Sequence, residues 1–310
     1  MNNIICIAGP TASGKTALAV ELAKELNGEV ISCDSMQIYK RMDIGTAKPT
    51  AEEMQGVPHH MLGVAEPEED FSVSRYCEMA DPILQDILSR GKTAIIAGGT
   101  GLYMDSLMKG NDFAPTPATG HRERLEEKLA EIGLDAMLSE LAAIDPEAAE
   151  RSQRNPRRVI RALEVYYETG KTITRHNQET QAIPPRYNPL WLGLDFEPRQ
   201  LLYDRIDLRV GIMMETGLEQ EIRELLGSGL DPKCTAMQAI GYKEFVAALD
   251  GRCSMEEAAD AVRQASRRYA KRQLTWFRRN KNMHWLTRHE GEGSEEIIAK
   301  ARHIICNCDN

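Results

Sequence analysis

The segment Gly9-Pro10-Thr11-Ala12-Ser13-Gly14-Lys15-Thr16 follows directly on the apolar run Ile4–Ala8 and meets the pattern G-x-x-x-x-G-K-[ST] at every position. That pattern has meaning only where a buried strand turns sharply into a helix. Both flanks fit, because Lys15–Leu26 carries Leu18, Leu22 and Leu26 one turn apart. Glycine at each end lets the backbone curl so that its N–H groups, with the positive end of the helix dipole, meet phosphate oxygens. Lys15 adds a mobile charge for the outermost phosphate, and the Thr16 hydroxyl is the protein ligand such a loop offers to Mg²⁺.

Three more short apolar runs, Glu29–Cys33, Thr93–Ala97 and Trp191–Asp195, are bounded by turn residues, and helical patterns separate the first three runs of the chain. The alternation predicts an α/β fold, a P-loop NTPase-like parallel sheet flanked by helices. From residue 112 to 185 the character changes. No strand-like run appears, and Arg122–Ile132, Leu134–Ile144 and Pro156–Thr169 read as helices, the last with Asn155 as cap, Pro156 in the first turn and Gly170 past the end. Pro115, Pro117, Pro184 and Pro185 lie near the two junctions, so 112–185 reads as an inserted all-helical domain between core segments 1–111 and 186–310. Beyond it, Leu201–Leu226, Tyr242–Leu249 and Ser254–Arg279 read as helices.

No run approaches the ~20 apolar residues of a membrane span, and the N-terminus lacks the pattern of a secretory signal, so the expectation is a cytoplasmic protein with no membrane partner. Seven scattered cysteines suit a reducing compartment and free thiols. The tail His303-Ile-Ile-Cys306-Asn-Cys308 has one residue between its cysteines, a poor spacing for zinc. A formal net charge of −9 argues against nucleic acid. Its distribution argues the other way. Positions 263, 267, 268, 271, 272, 278, 279 and 281 are all Lys or Arg with no acidic residue among them, interleaved with Tyr269, Trp276 and Phe277, and Arg151, Arg154, Arg157, Arg158 and Arg161 form a second cluster. Ordinary helix surface mixes signs, so single-sign stretches point to a polyanion larger than one nucleotide.

Beside the loop, Asp34 stands immediately after the second strand, where an open α/β sheet gathers its ligands. It is a candidate base, with a turn cap or a contact to bound Mg²⁺ as the other roles for that position. Gly98-Gly99-Thr100-Gly101 leaves the third strand, permitting close backbone approach and offering the Thr100 hydroxyl. Arg205 and Arg209, one helical turn apart, suit a clamp on a diphosphate opposite Lys15, or surface pairs with Asp204, Asp207 or Glu215. ATP binding and a kinase would be the ordinary reading of the loop. A conventional strand of four apolar residues ending in a metal-holding Asp is missing, since Thr93–Ala97 ends in glycines, and this mildly favours a diphosphate-binding transferase.

The set Gly9–Thr16, Asp34-Ser-Met-Gln37, Met42-Asp-Ile-Gly-Thr-Ala-Lys-Pro49, Gly98-Gly-Thr-Gly-Leu-Tyr103, Arg157-Arg-Val-Ile-Arg-Ala-Leu-Glu164 and Ile240-Gly-Tyr-Lys243 resembles, in order and over essentially the whole chain, the tRNA dimethylallyltransferase family in its bacterial form, which lacks the C-terminal zinc finger of some eukaryotic members. The resemblance implies transfer of a dimethylallyl group from dimethylallyl diphosphate to the exocyclic N6 amine of the adenosine 3′ of the anticodon, in tRNAs reading U-initial codons, with Mg²⁺ as cofactor and the loop holding the donor diphosphate. It implies Asp34 as general base, Ser35, Met36 and Gln37 lining the target nucleotide, Thr11–Thr16 and Arg205 on the diphosphate, and tRNA contacts from Thr100, Arg122, Arg157, Arg158, Val159, Ile160, Arg161 and the segment with Gln238, Gly241, Tyr242 and Lys243. Lys15, Thr16, Thr100 and Arg205 join Asp34 as the catalytic set. The target base is implied to be flipped out of the anticodon loop into a channel, with the insertion gripping the anticodon stem of a tRNA bound to a monomer. The alternatives are a small-molecule P-loop kinase, an adenylate prenyltransferase and a tRNA-binding regulator without turnover.

Overall fold

Four of the strands form where short apolar runs lie between turn residues, and burial explains their composition. In the computed structural model, which describes residues 3–110, 120–182 and 184–308, β1 (Ile4–Ala8) and the following helix α1 (Lys15–Glu25) flank the phosphate loop. All five residues of β1 are buried. The chain continues through β2 (Gly28–Cys33), the short α2 (Ala51–Met54), β3 (His59–His60), α3 (Val73–Ser89), β4 (Thr93–Gly98) and α4 (Gly101–Lys109). Helices α5 (His121–Ile144), α6 (Pro146–Arg151), α7 (Pro156–Thr169) and α8 (Ile173–Ala182) come next, then β5 (Leu190–Phe196), α9 (Gln200–Glu215), α10 (Leu218–Gly227), α11 (Tyr242–Leu249), α12 (Met255–Phe277), β6 (Met283–Arg288) and α13 (Ser294–Cys308).

The six strands form one parallel sheet in the order β3-β2-β4-β1-β5-β6. Ile5, Ile7, Leu192 and Leu194 pack with Leu18 and Leu22 of α1 and Ile297 of α13 in one buried cluster. Burying each such side chain stabilises the fold by about 1.5–3 kcal/mol. Near β2 the Tyr76 hydroxyl of α3 donates to the Ser32 carbonyl at 3.0 Å, and its ring stacks on Tyr103 of α4 at 4.7 Å. Register sets the site. Ala8 of β1 and Cys33 of β2 both pair with Gly98 of β4, so the three strands end level. The segments beginning at Gly9, Asp34 and Gly99 therefore leave the sheet side by side, on the carboxyl edge where such folds bind ligands. Gly98 has no room for a side chain, since a Cβ there would lie 1.9 Å from the Cys33 carbonyl oxygen.

Several elements differ from the sequence reading, each for a local reason. The stretch Leu201–Leu226 is two helices, because Gly217 adopts φ 104° between α9 and α10. By contrast, the two helices read as Arg122–Ile132 and Leu134–Ile144 are both present within α5, parted at Gly133, whose φ 79° and ψ 169° are not helical. Strand β6 escapes the apolar-run criterion because it lies at the sheet edge, with His284 exposed and only Met283 and Leu286 buried.

The chain divides into two compact units, Met1–Gly110 with Tyr187–Asn310, and Asn111–Arg186. Pro115 and Pro117, read as marking the first junction, lie outside the described residues. The second unit is helical and has its own core of Leu125, Met137, Leu141, Val159, Ile160 and Leu163. Helix α7 begins and ends where its sequence signals stand: the Asn155 side chain accepts from Arg157 N, Pro156 occupies the first turn and Gly170 closes the helix at φ 69°. Buried Asp145 caps α6 and also accepts from Thr174 N and Oγ1, at 3.0 and 2.8 Å, tying α6 to α8.

At the opposite end of β2 from the site, the almost fully buried Glu29 accepts from Arg90, from Lys92 at 2.7 Å and from His60 Nε2 at 2.8 Å. The Arg90 hydrogen bond, with help from Lys92 and His60, outweighs burial and holds this carboxyl far below its ordinary value. A depressed carboxylate contributes stability above its unfolded pKa of about 4.3 that is lost as pH falls toward the folded value. Glu29→Gln should lower unfolding stability at pH 7 by about 2 kcal/mol and flatten the loss of stability below pH about 4.5, both read from urea denaturation at several pH values. An unchanged acid limb would remove Glu29 as its source.

Candidate functional site

The loop Gly9–Thr16 is shaped by its own backbone and by three cations. Gly14 adopts φ 91° at the turn into α1, and Ser13 N bonds to the Pro10 carbonyl at 3.3 Å. Lys15 Nζ donates to the Pro10 carbonyl at 2.7 Å, Arg205 Nε to the Ala12 carbonyl at 2.8 Å, and Arg209 to Thr11 Oγ1 at 3.1 Å. Arg205 and Arg209 reach the loop from one face of α9, as their spacing of four requires. None of the three cations has an ion-pair partner among the described residues. Burial pushes the Lys15 ammonium down to about 8, Arg209 adds to the depression, and Asp34 opposes it. Burial, Arg288 and Arg209 likewise lower Arg205, and burial lowers Arg209 against the pull of Asp34 and Glu53. Like charges gathered without a counter-ion make an anion site, because a bound anion relieves their mutual repulsion.

Across from the loop, Asp34 leaves β2 in a tight turn. Its Oδ1 accepts from Met36 N at 2.9 Å and Gln37 N at 3.4 Å, while Oδ2 carries no hydrogen bond among the described residues. Asp34 thus does serve as a turn cap, with one oxygen left over. Thr100 Oγ1 accepts from Ser35 N at 3.0 Å, and burial raises the neighbouring Tyr269 phenol above its ordinary value. A cavity of about 300 Å³ joins the two sides, lined by Thr11 and Arg209, by Asp34, Ser35 and Met36, and by Gln238 and Lys243. Ile206, Val210, Met213, Ile240 and Val262 make part of its wall apolar.

The remaining sequence candidates fall into distinct places. Gln37 is turned into structure: Nε2 donates to the Thr46 and Ala47 carbonyls at 3.3 and 3.0 Å, and Oε1 accepts from Ser32. Tyr242, expected at a tRNA contact, is fully buried, so its side chain offers no surface. Its hydroxyl donates to Glu221, which also accepts from Asp43 N, Ile44 N and Gly45 N and so anchors the loop 42–49. Gly241 is likewise buried, with φ 102° and its N–H on Glu244.

In the second unit, Val159 and Ile160 are core residues, which excludes their side chains from direct contact with a ligand. Arg122 forks onto buried Glu164 at 2.9 and 3.0 Å, and Arg161 reaches the same carboxylate at 2.7 Å. Arg151 pairs with Glu147 and Arg154 with Asp135. Arg157 and Arg158 remain exposed without an ion pair among the described residues. The basic stretch on α12 is thinned the same way, Arg263 pairing with Glu256 and Asp260, Arg267 with Asp207 and Arg278 with Asp195. Tyr269 and Arg272 of that stretch line the cavity, and Arg272 lies over the Tyr269 ring at 5.5 Å. Neither was singled out as a site residue from sequence, although both stood inside the basic, aromatic-interleaved run. Gln273 gave no signal at all.

Comparison with known proteins gives the chain a family. The family described as IPP transferase matches residues 37–280, and the family described as isopentenyl transferase matches residues 2–64. A tRNA dimethylallyltransferase of Acetivibrio thermocellus is 46% identical over 307 residues, covering 98% of each chain. One from Bacillus cytotoxicus is 47% identical over 297 residues, covering 95% of this chain and 93% of its own. Among solved structures, a full-length tRNA isopentenylpyrophosphate transferase from Bacillus halodurans superposes with a TM-score of 0.73 at 43% identity, covering 98% of this chain and 96% of that one. A eukaryotic dimethylallyltransferase described as acting on tRNA superposes with a TM-score of 0.83 at 31% identity, covering 98% of this chain and 79% of that one. The chain belongs to the tRNA dimethylallyltransferase family of IPP transferases.

Proposed function

We propose that this protein transfers a dimethylallyl group from dimethylallyl diphosphate to the N6 amine of the adenosine 3′ of the anticodon, in tRNAs reading U-initial codons. The observation that carries the reading is a cavity with Thr11 and Arg209 on one side, Asp34 on the other and apolar residues between, beside a loop on which Arg209 is joined by Lys15 and Arg205. In a transfer of this kind the N6 nitrogen bonds to the allylic carbon as the carbon–oxygen bond to diphosphate breaks. The bonding pair leaves with the diphosphate, and the surplus proton on nitrogen passes to Asp34. Allylic leaving is made easier by resonance, so catalysis consists largely of meeting the departing negative charge with Lys15, Arg205, Arg209 and the loop N–H groups. The adenine lone pair is delocalised into the ring, hence the need for an acceptor such as Asp34 Oδ2 as the new bond forms. Thr100 orders the backbone beside Asp34 through Ser35 N.

The donor set of the loop suits magnesium. Ser13 Oγ is buried without a hydrogen-bond partner among the described residues, and the Thr16 hydroxyl stands in the first turn of α1, so both are hard oxygen donors. Among the described residues no group of three or more His, Cys, Asp or Glu could enclose a metal, so the ion would take its other oxygens from diphosphate and water. When bound, magnesium neutralises diphosphate charge. The second unit, with exposed Arg157 and Arg158, would grip the anticodon stem, its phosphate contacts offsetting the few kcal/mol needed to extrude the base. We assign the working form as a cytoplasmic monomer; no helix among the described residues is long and apolar enough to cross a membrane.

Incubating the purified protein with an unmodified anticodon stem-loop and dimethylallyl diphosphate should add one five-carbon unit to the RNA by mass. Consumption of ATP with no change in the RNA would indicate the kinase reading instead. Asp34→Ala should reduce turnover by about 10²-fold or more with tRNA affinity kept within about threefold; a matching loss of affinity with normal single-turnover chemistry would make Asp34 a positioning group. Because Lys15 is cationic only below about 8, kcat/KM for the donor should fall above that pH, and Lys15→Arg should carry the plateau upward by at least one pH unit. A wild-type profile flat to pH 10 would contradict the assignment. Arg157→Ala should weaken tRNA binding and lower the slope of log K against log salt by about one, whereas an unaltered slope would take that side chain off the phosphate backbone.

A further inference from the structure

Gln273 lies in the C-terminal part of α12 and is only 5% exposed. Its carboxamide oxygen accepts from Thr11 N at 2.9 Å, and its nitrogen donates to the Gly99 carbonyl at 2.9 Å. Thr11 belongs to the phosphate loop, and its hydroxyl holds Arg209. Gly99 precedes Thr100, whose hydroxyl holds Ser35 N beside Asp34. A single planar amide therefore bridges the phosphate loop, whose Thr11 lines the cavity, and the turn that holds the lining residue Ser35 in place. We propose that Gln273 is a positioning residue for the transfer, a strut that sets the separation between the loop seating the donor diphosphate and the loop presenting the acceptor. This rests on the transferase reading above.

The chemistry of the side chain suits the task. A carboxamide supplies an acceptor and a donor at a fixed spacing, without charge to disturb a neighbouring anion. A carboxylate would lose the bond to Gly99, and a lysine the bond to Thr11. Room for the strut is built in on the other side, because a Cβ on Gly99 would lie 2.1 Å from Gln273 Nε2. One turn along the helix, Trp276 Nε1 donates to Asp105 at 2.8 Å, and the indole packs so closely on Gly101 that a Cβ there would lie 2.2 Å from the ring. The face of α12 is thus keyed to the turn 99–101 at two points. Bond formation between nitrogen and the allylic carbon needs the two atoms about 3–3.5 Å apart and aligned, and a misplacement of about 1 Å can cost 10²-fold in rate. Gln273 touches no reacting atom in this scheme, so its effect falls on the chemical step more than on binding.

Gln273→Met keeps the volume and removes both hydrogen bonds, while Gly99→Ala displaces the same amide from the opposite side. Each should slow single-turnover transfer at saturating donor and RNA by about tenfold or more, with tRNA Kd and donor Kd within about threefold of wild type. The double variant should be no slower than the slower single one, since both remove one device. The Thr11 amide should also exchange with deuterium faster in either variant. That readout needs no reaction, so it separates failure of the strut from failure of the transferase reading: if wild type does not prenylate RNA the function falls, while unaltered Thr11 exchange sinks the strut. Unchanged single-turnover rates, or losses that multiply in the double variant, would also overturn the proposal. Should Gln273→Met not fold, Gly99→Ala reads the same quantity.

Discussion

The backbone ladder joining β1, β4 and β2 governs where every reactive group stands. Ala8, Gly98 and Cys33 share one row of it, so the phosphate loop, the Thr100 turn and Asp34 start from level strand ends about 4.8 Å apart. With β4 between them, Gly9 and Asp34 begin two strand spacings apart. A slip of one residue in β2 would turn its buried side chains to the other face and carry Asp34 out of line with the loop. Gly98 guards that register, because any side chain would collide with the Cys33 carbonyl.

Electrostatics shape the site in two opposite ways. Around the phosphate loop the protein gathers Lys15, Arg205 and Arg209 without a carboxylate within ion-pair distance among the described residues, leaving a repulsion that a bound anion would relieve. On the helices that looked most basic, it does the reverse. Arg122, Arg151, Arg154 and Arg161 find carboxylates, as do Arg263, Arg267 and Arg278. What remains without an ion pair among the described residues is a sparser set of cations, Arg157 and Arg158 in the second unit, Arg268, Lys271 and Arg272 on α12, and Arg279 just past its end. This selective pairing is compatible with a chain of net charge −9 in a family that modifies tRNA.

Much of the architecture was legible because its signals are local. The apolar runs of β1, β2, β4 and β5 stand out since buried parallel strands need no polar face, and α7 announces both ends through Asn155, Pro156 and Gly170. Edge strand β6 was not legible, because one side faces water and its pattern reads as loop. The division of Leu201–Leu226 was hidden for a different reason: a glycine inside a helical pattern is tolerated often enough that Gly217 alone does not announce a break. Gln37 and Tyr242 stand within short motifs that look like binding signatures, yet their side chains hold the loop 42–49 in place.

By itself the amino-acid order determined the phosphate-loop motif, the strand preceding it, the carboxylate at the end of the next strand and the family likeness, because these depend on residue types at fixed spacings. Only the folded chain decided which arginines keep a free charge, that Val159, Ile160 and Tyr242 face inward, and that Gln273 spans two loops from 262 and 174 residues away. The reason is physical. Pairing, burial and bridging depend on distances in space between residues far apart along the chain, and no local spacing encodes them.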